Sequence, residues 1–324
     1  MWSGVRSTGD KIKKGIVWIL LTSLLLCGCG DTYPEAFTAP IAEAGNKPRY
    51  AAFFAEDLCV PEGDVADNAI KVADDTTAGL FNLTKNKTVF AKDVYKRINP
   101  ASLTKIMTAL VAIENGDLTK TIVATPNVGS IESGAQRLGL KEGDRMTLDQ
   151  ALHILLIHSS NDVAILIAES VAGSVDRFAR LMNERAQMIG ATGCHFTNPH
   201  GLTESEHYVT AYDMYLIFNE AMKYKEFREI VNAAHYSSSY HNADGTEVPV
   251  DLHSTNSYLT GGFTVPEGVT IIGGKTGTTS AAGHCLILYM QNRAQEEYIA
   301  VVMGTPDAEA LNREMTELMQ RINN

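Results

Sequence analysis

The sequence is short of positive charge relative to negative charge. Its 27 lysine and arginine residues are outnumbered by 38 aspartate and glutamate residues, and the formal net charge is −11. So acidic a protein is a poor ligand for nucleic acid, and charge alone would not hold it on an anionic membrane. We therefore expect no nucleic-acid partner, and attachment to a membrane would need a separate device.

The N-terminal region lacks an apolar run long enough for a membrane-spanning helix. The run from Ile16 to Leu26 has 11 residues and follows three lysines, whereas a spanning helix needs about 20. These features are typical of a signal peptide, which we assign to residues 1–28. Leu26-Cys27-Gly28-Cys29 resembles the bacterial lipobox, so we expect acyl chains on Cys29 to anchor the protein at the extracytoplasmic face of the bacterial cell membrane. The alternative is a plain signal peptide cleaved near Cys29.

Cysteine and histidine are too few and too scattered to indicate a disulfide framework or a metal site. After cleavage ahead of Cys29 and acylation of that residue, three unmodified cysteines would remain, Cys59, Cys194 and Cys285, and an odd number does not make a paired framework. We expect these three to be small apolar residues, with a nucleophilic Cys194 or Cys285 as a minor alternative. The histidines show no His-Glu-x-x-His or comparable spacing. We predict no metal and no other cofactor.

The remaining chain reads as a polar tether followed by one folded domain. Residues 29–69 are polar and interrupted by prolines, and we place the domain at residues 70–324. Two short apolar runs in residues 77–90 predict a hairpin of edge strands, and three β-rich runs near the C-terminus predict an antiparallel meander. The closing amphipathic helix is expected to pack on this sheet.

Helical signals occupy the middle of the domain. A helix is predicted from Pro100 to Ile113, and Thr147 with Gln150 forms a capping-box pattern ahead of a second helix. Ser159-Ser160-Asn161-Asp162 then interrupts the apolar pattern, which resumes and stops at Gly173. This tetrapeptide should therefore lie on a loop between two core helices, with Asp162 capping the second one.

Ser102 and Lys105 suggest a nucleophile and its base. They are three residues apart at the start of a predicted helix, so their side chains lie on one face about one turn apart. A neutral lysine can accept the serine proton if its pKa is lowered, which a helix N-terminus and a second cation both favour. Alone, a Ser-x-x-Lys pattern is too common to indicate a catalytic site.

Two further motifs follow in the order that serine β-lactamases and penicillin-binding proteins require. Ser159-Ser160-Asn161 supplies a second hydroxyl and an amide, and Lys275-Thr276-Gly277-Thr278 supplies a cation and hydroxyls at a strand. Ser254-Thr255-Asn256 also fits Ser-x-Asn. We reject it because it lies too close to Lys275 to leave room for the helical domain that normally separates the last two motifs.

The chain resembles the low-molecular-mass penicillin-binding proteins, the serine D-alanyl-D-alanine carboxypeptidases related to class A β-lactamases. Segments 100–110, 196–202 and 274–283 match that family nearly throughout, and the similarity extends from about residue 70 to the C-terminus. The resemblance implies an α/β (α+β) fold, with an antiparallel five-stranded sheet flanked by helices. It also implies an all-helical subdomain between the first two motifs and the last, with the site in the cleft between them.

The resemblance also implies roles for individual residues. Ser102 would attack the carbonyl between two terminal D-alanines, Lys105 would act as base, and Ser159 would relay a proton to the leaving amine. Backbone N–H groups of Ser102 and Thr278 would form the oxyanion hole. The implied substrate-binding residues are Asn161, Lys275, Thr276, Gly277 and Thr278. For Asn198 and His200, a structural turn and a catalytic contribution both stay open.

The implied partners are peptidoglycan stem peptides ending in D-Ala-D-Ala, with β-lactams as covalent inhibitors. A β-lactamase is less favoured, because the sequence contains no Glu-x-x-Leu-Asn motif to activate a deacylating water. A D,D-endopeptidase and a catalytically inactive lipoprotein that binds stem peptides both stay open as functions. Since the last predicted strand ends at Met303 of 324 residues, we do not expect the second, β-rich domain of the family's best-known members.

Overall fold

The computed structural model describes residue 55 and residues 57–323. The assigned signal peptide, Cys29 and most of the expected tether lie outside these residues. Within the described part of the chain, no helix is both long enough and apolar enough to cross a membrane.

The described residues form nine strands and eight α-helices. The strands are β1 (Thr77–Asn82), β2 (Lys87–Lys92), β3 (Thr121–Val123), β4 (Arg145–Thr147), β5 (His235–His241), β6 (Glu247–His253), β7 (Thr270–Thr279), β8 (Gly283–Gln291) and β9 (Glu297–Thr305). The α-helices are α1 (Thr104–Asn115), α2 (Leu148–His153), α3 (Asn161–Ala172), α4 (Val175–Met188), α5 (Ala211–Ala221), α6 (Lys225–Asn232), α7 (Ser257–Thr260) and α8 (Ala308–Arg321). Short 3-10 turns cover Ala101–Leu103 and Pro126–Ser130, and a π-helical turn covers Ile154–His158.

A five-stranded antiparallel sheet forms the centre of the domain, in the order β2-β1-β9-β8-β7. The N-terminal hairpin and the C-terminal meander, both predicted, join through antiparallel pairing of β1 with β9. The expectation of two edge strands in the hairpin is wrong for β1, because that strand is buried at every residue and flanked on both sides. Only β2 and β7 are edges of this sheet, and β7 carries the Lys-Thr-Gly motif.

The sheet is covered on both faces, because successive side chains of a strand point to opposite sides. On β8, Leu286 and Leu288 contact the C-terminal helix α8, whereas Ile287 belongs to the larger core on the other face. Helix α8 buries Met315, Leu318 and other apolar residues against the sheet, as its amphipathic pattern predicted.

The larger core surrounds α1, in which residues 104–112 are all buried. The prediction of an all-helical subdomain is only partly right, since a second antiparallel sheet of order β3-β4-β5-β6 lies in the same part of the chain. Two of its strands have three residues each. The third, β5, reads His-Tyr-Ser-Ser-Ser-Tyr-His and therefore lacks the apolar alternation that indicates a strand.

Packing against the domain begins ahead of the expected boundary at residue 70. Cys59 is 0% exposed, and its backbone N–H donates to the Tyr215 hydroxyl at 3.0 Å. Val65 forms an antiparallel bridge with Ala91 of β2. The segment just before residue 70 is thus fixed against both the sheet and the helices.

Candidate active site

A cleft of about 430 Å³ lies along the β7 edge of the central sheet. All three predicted motifs contribute to its lining, through Ser102, Ser159, Asn161, Thr276, Gly277 and Thr278. Lys105 and Lys275 lie behind this surface, at 0% and 1% exposure. The structure thus brings together every predicted site residue except Cys29, which lies outside the described residues.

Ser102 lies in the 3-10 turn that leads into α1, and two glycines allow other segments to approach this turn. Ala101, just before Ser102, has a left-handed backbone with φ of 48°. A Cβ on Gly201 would lie 1.9 Å from the Ala101 carbonyl oxygen, and one on Gly277 would lie 2.9 Å from the Ser102 nitrogen. Segment 196–202 and strand β7 therefore both require glycine where they meet the 3-10 turn that carries Ser102.

Lys105 is surrounded by oxygen atoms. Its Nζ lies 2.9 Å from Ser102 Oγ, 2.7 Å from Asn161 Oδ1 and 2.7 Å from the His200 carbonyl oxygen. The last two can only accept hydrogen bonds, so they take both N–H groups of a neutral amine. The remaining lone pair of Lys105 then faces the Ser102 hydroxyl, which is the arrangement that proton transfer from serine needs.

Burial favours this neutral form of Lys105. Burial and the positive charge of Lys275 hold the pKa of Lys105 well below its ordinary value, against an opposing effect of the Asp162 charge. From the sequence, a helix start and a second cation were expected to lower the pKa of Lys105. In the structure burial has the largest effect on this pKa, and the charge of Lys275 adds to it.

The Ser-x-Asn motif owes its position to an irregular helix. The capping box of Thr147 and Gln150 opens α2 as predicted, and the π-helical turn that follows ends at Ser159, which has a left-handed φ of 65°. Ser160 is the N-cap of α3, whose first residue is Asn161. A π-turn followed by a left-handed residue redirects the chain within one residue, so that Ser159 and Asn161 both face the cleft.

Lys275 contacts Ser159 instead of the cleft. Its Nζ donates to Ser159 Oγ at 3.0 Å and to the Thr276 carbonyl at 2.9 Å, and burial lowers its pKa to about 7. Thr276 and Thr278 lie on the cleft surface, where Lys275 does not. This placement favours an action of Lys275 through Ser159 over direct contact with a substrate.

Segment 196–202 presents a carbonyl to the site. Asn198 is 2% exposed, and its Oδ1 accepts from the Gly201 backbone N–H at 2.7 Å. The Pro199 carbonyl accepts from Thr108 Oγ1 at 2.6 Å, which fixes the turn on α1. This turn places the His200 carbonyl on Lys105, and burial with the neighbouring Lys105 lowers the pKa of His200 to about 3. A positioning turn therefore explains Asn198 without a catalytic role.

Sequence reasoning missed several residues of the cleft. Thr255, in the rejected Ser-x-Asn match, lines the cleft and its Oγ1 lies 2.6 Å from Thr276 Oγ1. The match of residues 254–256 to the Ser-x-Asn pattern was the sequence signal that could have identified Thr255 as a cleft residue. Gly134, Ala135 and Gln136 line the cleft too, but no sequence signal marks them. The expectation that Asp162 caps the helix is wrong, since Ser160 is the N-cap and the Asp162 carboxylate accepts from the backbone N–H groups of residues 138–140.

The cysteines do not compete with Ser102 for the nucleophile role. Cys59, Cys194 and Cys285 are free and buried. Cys285 lies in the lining of the cleft but is 0% exposed, and burial raises the pKa of its thiol to about 12, so that the reactive thiolate is disfavoured. Within residues 57–323, no three histidine, cysteine or acidic side chains are grouped so as to hold a metal ion.

Comparison with known proteins points to one family. Residues 67–307 match the family model described as D-alanyl-D-alanine carboxypeptidase. The chain is 29% identical to D-alanyl-D-alanine carboxypeptidase DacF of Bacillus subtilis, over 75% of this chain and 60% of that protein. It is 28% identical to DacD of Escherichia coli, over 74% of this chain and 61% of that one. The alignment thus spans about three fifths of the length of these two relatives.

The fold is also similar to that of a solved enzyme. The crystal structure of the Streptomyces K15 DD-transpeptidase superposes with a TM-score of 0.70 and 26% identity, over 77% of this chain and 97% of that one. Because the matched family model covers most of the described residues and all three motifs, the chain belongs to the D-alanyl-D-alanine carboxypeptidase family.

Proposed function

We propose that this protein is a serine D-alanyl-D-alanine carboxypeptidase that removes the terminal D-Ala of peptidoglycan stem pentapeptides through an acyl-Ser102 intermediate. One observation carries the proposal. The Nζ atom of Lys105 lies 2.9 Å from Ser102 Oγ, and this lysine is buried with a strongly lowered pKa. A serine and an available amine base in contact form an activated nucleophile.

Acylation begins when Ser102 Oγ attacks the carbonyl carbon between the two terminal D-alanines. The lone pair of Lys105 takes the hydroxyl proton, because Asn161 and the His200 carbonyl hold its two N–H groups. The backbone N–H groups of Ser102 and Thr278 stabilise the negative oxygen of the tetrahedral intermediate. The absence of a side chain at Gly277 allows β7 to approach the Ser102 nitrogen, which an oxyanion hole shared by these two N–H groups requires.

Breakdown of the intermediate requires a proton on the leaving amine. Ser159 Oγ donates it as the C–N bond breaks, and the proton that Lys105 received restores the Ser159 hydroxyl. Lys275 holds Ser159 Oγ in place at 3.0 Å. D-Alanine then leaves, and water attacks the acyl-enzyme with the neutral Lys105 as base.

The cleft lining supports recognition of the peptide end. Thr276 and Thr278 present hydroxyl groups for the terminal carboxylate, and the amide of Asn161, which also lines the cleft, would orient the peptide. Thr255 extends the hydroxyl row through its 2.6 Å contact with Thr276. Hydroxyl and amide donors suit a carboxylate and a peptide carbonyl.

β-Lactams would acylate the same serine and leave slowly, because the sequence contains no Glu-x-x-Leu-Asn motif for rapid deacylation. Intact mass spectrometry after fluorescent penicillin should show one adduct in the wild type and none in Ser102→Ala. An adduct that persists in Ser102→Ala would assign the reaction to another residue.

The decisive test of the activity uses a pentapeptide ending in D-Ala-D-Ala. We expect release of free D-alanine by the wild type and none by Ser102→Ala. Preferential cleavage of a cross-linked peptide dimer over the pentapeptide would identify a D,D-endopeptidase. Binding of stem peptides without any release would identify an inactive binding protein.

We also propose that a lipid on Cys29 anchors the protein at the extracytoplasmic face of the bacterial cell membrane. The support is the sequence Leu26-Cys27-Gly28-Cys29 after a short apolar run. Metabolic labelling with an alkyne palmitate should mark the wild type and Cys27→Ala but not Cys29→Ala. Equal labelling of Cys29→Ala would exclude this anchor.

A further inference from the structure

One side of the cleft is formed by a loop that carries no motif. We call residues 131–140 the wall segment, since Gly134, Ala135 and Gln136 within it line the cleft. Gly134 and Gly139 adopt φ of 88° and 96°. The segment contains no helix or strand, so its position depends on contacts with the rest of the domain.

Asp162 holds the second half of the wall segment. Its Oδ1 accepts from the Leu138 backbone N–H at 3.0 Å, and its Oδ2 accepts from those of Gly139 at 2.7 Å and Leu140 at 2.9 Å. The side chain is 1% exposed. Three consecutive N–H groups on one buried carboxylate form a fixed attachment, because charged acceptors make stronger hydrogen bonds.

The residues beside Asp162 hold the middle of the segment. The Asn161 backbone N–H donates to the Gln136 carbonyl at 2.9 Å. The Gln136 side-chain nitrogen lies 2.7 Å from His158 Nε2, and His158 Nδ1 lies 2.7 Å from Ser160 Oγ. The wall segment is therefore attached to the Ser-x-Asn motif itself, and Asn161 is the residue that contacts Lys105.

The Asp162 charge also acts on the base. It raises the pKa of Lys105, whereas burial and Lys275 lower it. The other titratable groups close to Lys105 are His200 and His207, whose pKa values burial lowers to about 3 and about 4. These histidines are neutral at ordinary pH, so Asp162 and Lys275 are the charges that oppose each other at Lys105.

We propose that Asp162 is a positioning residue for the reaction, which fixes the wall segment on the Ser-x-Asn motif and sets the electrostatic balance at Lys105. The inference rests on the proposed function, in which Lys105 is the base. Asp162 lies outside all three motifs, yet under this proposal it determines the shape of the cleft wall and part of the pH dependence of acylation.

The test compares Asp162→Asn and Asp162→Ala with Asp144→Asn. Asp144 is a matched control, because it is 4% exposed and also accepts a backbone N–H, that of Lys141 at 2.9 Å, but is not among the charges that act on Lys105. Loss of the attachment should raise KM for the pentapeptide about tenfold with a small change in kcat. The acid limb of the acylation rate should move to lower pH by about one unit, because the neutral form of Lys105 becomes easier to reach.

Amide hydrogen exchange supplies a readout that does not depend on activity. Residues 138–140 should lose protection in both Asp162 variants and keep it in Asp144→Asn. If Asp162→Ala does not fold, Asp162→Asn, which keeps the side-chain volume, carries the test. Unchanged exchange and an unmoved acid limb in Asp162→Asn would overturn the inference. A wild type that neither releases D-alanine nor reacts with penicillin would overturn the proposed function instead, while the exchange result would still decide whether Asp162 fixes the wall segment.

Discussion

The cleft lies between two regions that each bury one lysine, and the two lysines differ in their surroundings. Lys105, on the helical side, contacts three oxygen atoms within 2.9 Å. Lys275, on strand β7, contacts two. Burial alone lowers the pKa of Lys275 to about 7, whereas burial and the charge of Lys275 together hold the pKa of Lys105 well below its ordinary value.

Both residues are buried lysines, but their different surroundings suit them to different roles, Lys105 beside Ser102 and Lys275 beside Ser159. The helical side produces an amine whose lone pair is directed at Ser102. The strand side keeps a lysine that is protonated for part of the time near neutral pH, and it contacts Ser159. A lysine cannot lower its own proton affinity by charge, so this contribution to the low pKa of Lys105 comes from the second lysine.

Lys105→Met should cause the largest loss of activity, because it removes the proposed base. We expect acylation of Ser102 by penicillin to slow at least about 10³-fold, in line with the contribution of a positioned general base. Stopped-flow fluorescence with a fluorescent penicillin measures this rate, and the melting curve shows whether the variant is folded. A rate within tenfold of the wild type would mean that another group activates Ser102.

Lys275→Met should cause a smaller loss of acylation rate, together with a shift of the pH profile that identifies the role of this lysine. Acylation should slow about 10²-fold as Ser159 loses its partner. Its acid limb should move to higher pH, because the pKa of Lys105 rises when the neighbouring positive charge is removed. This shift is opposite in sign to the one expected for Asp162→Asn. An acid limb that stays in place would show that the two lysines act independently.

Gly201→Ala should disturb the helical side without changing any ionisable group. The added Cβ would meet the Ala101 carbonyl oxygen at 1.9 Å, and φ at Gly201 is 89°. We expect a loss of about 3 kcal/mol in the free energy of unfolding, from overpacking and backbone strain together. Gly261→Ala is the matched control, since φ is 82° and no atom lies within 4 Å of the added Cβ. Equal losses in urea denaturation would exclude the steric explanation.

The smallest expected effect is the pH dependence of stability that comes from Lys275. Its pKa is about 7 in the folded protein and about 10.4 in the unfolded chain. Between these values the unfolded chain binds the proton and the folded protein does not, so stability rises with pH. From pH 7 to 8.5, the free energy of unfolding of the wild type should gain about 1.5 kcal/mol relative to Lys275→Met. Parallel curves in urea denaturation would mean that Lys275 does not titrate in this range.

The parts of the fold that the sequence predicts are those in which local signals agree with the final packing. The capping box at Thr147, the stop at Gly173 and the apolar meander strands all appear where their patterns place them. The second sheet could not be predicted in this way. Its polar strand β5 is half-exposed, so packing does not impose an apolar alternation on its sequence.

The sequence predicts the parts of the site that depend on side-chain chemistry, but not those that depend on backbone contacts. Ser102, Lys105, Ser159, Asn161 and Lys275 are all motif residues, and the structure gathers them at one cleft. The wall segment and the His200 carbonyl contribute mainly through the backbone, which any residue type carries. Thr255 was rejected on its separation along the chain, yet the turn before α7 returns it to the cleft.

Two of the left-handed residues of the domain are Ala101, immediately before Ser102, and Ser159, whose side chain lines the cleft. Non-glycine residues in this conformation reduce folding stability by about 1–2 kcal/mol each. These two positions therefore set a stability–activity trade-off for the enzyme. Glycine at Ala101 would relieve the strain under selection for heat resistance, but the turn that carries Ser102 would then lose its rigidity.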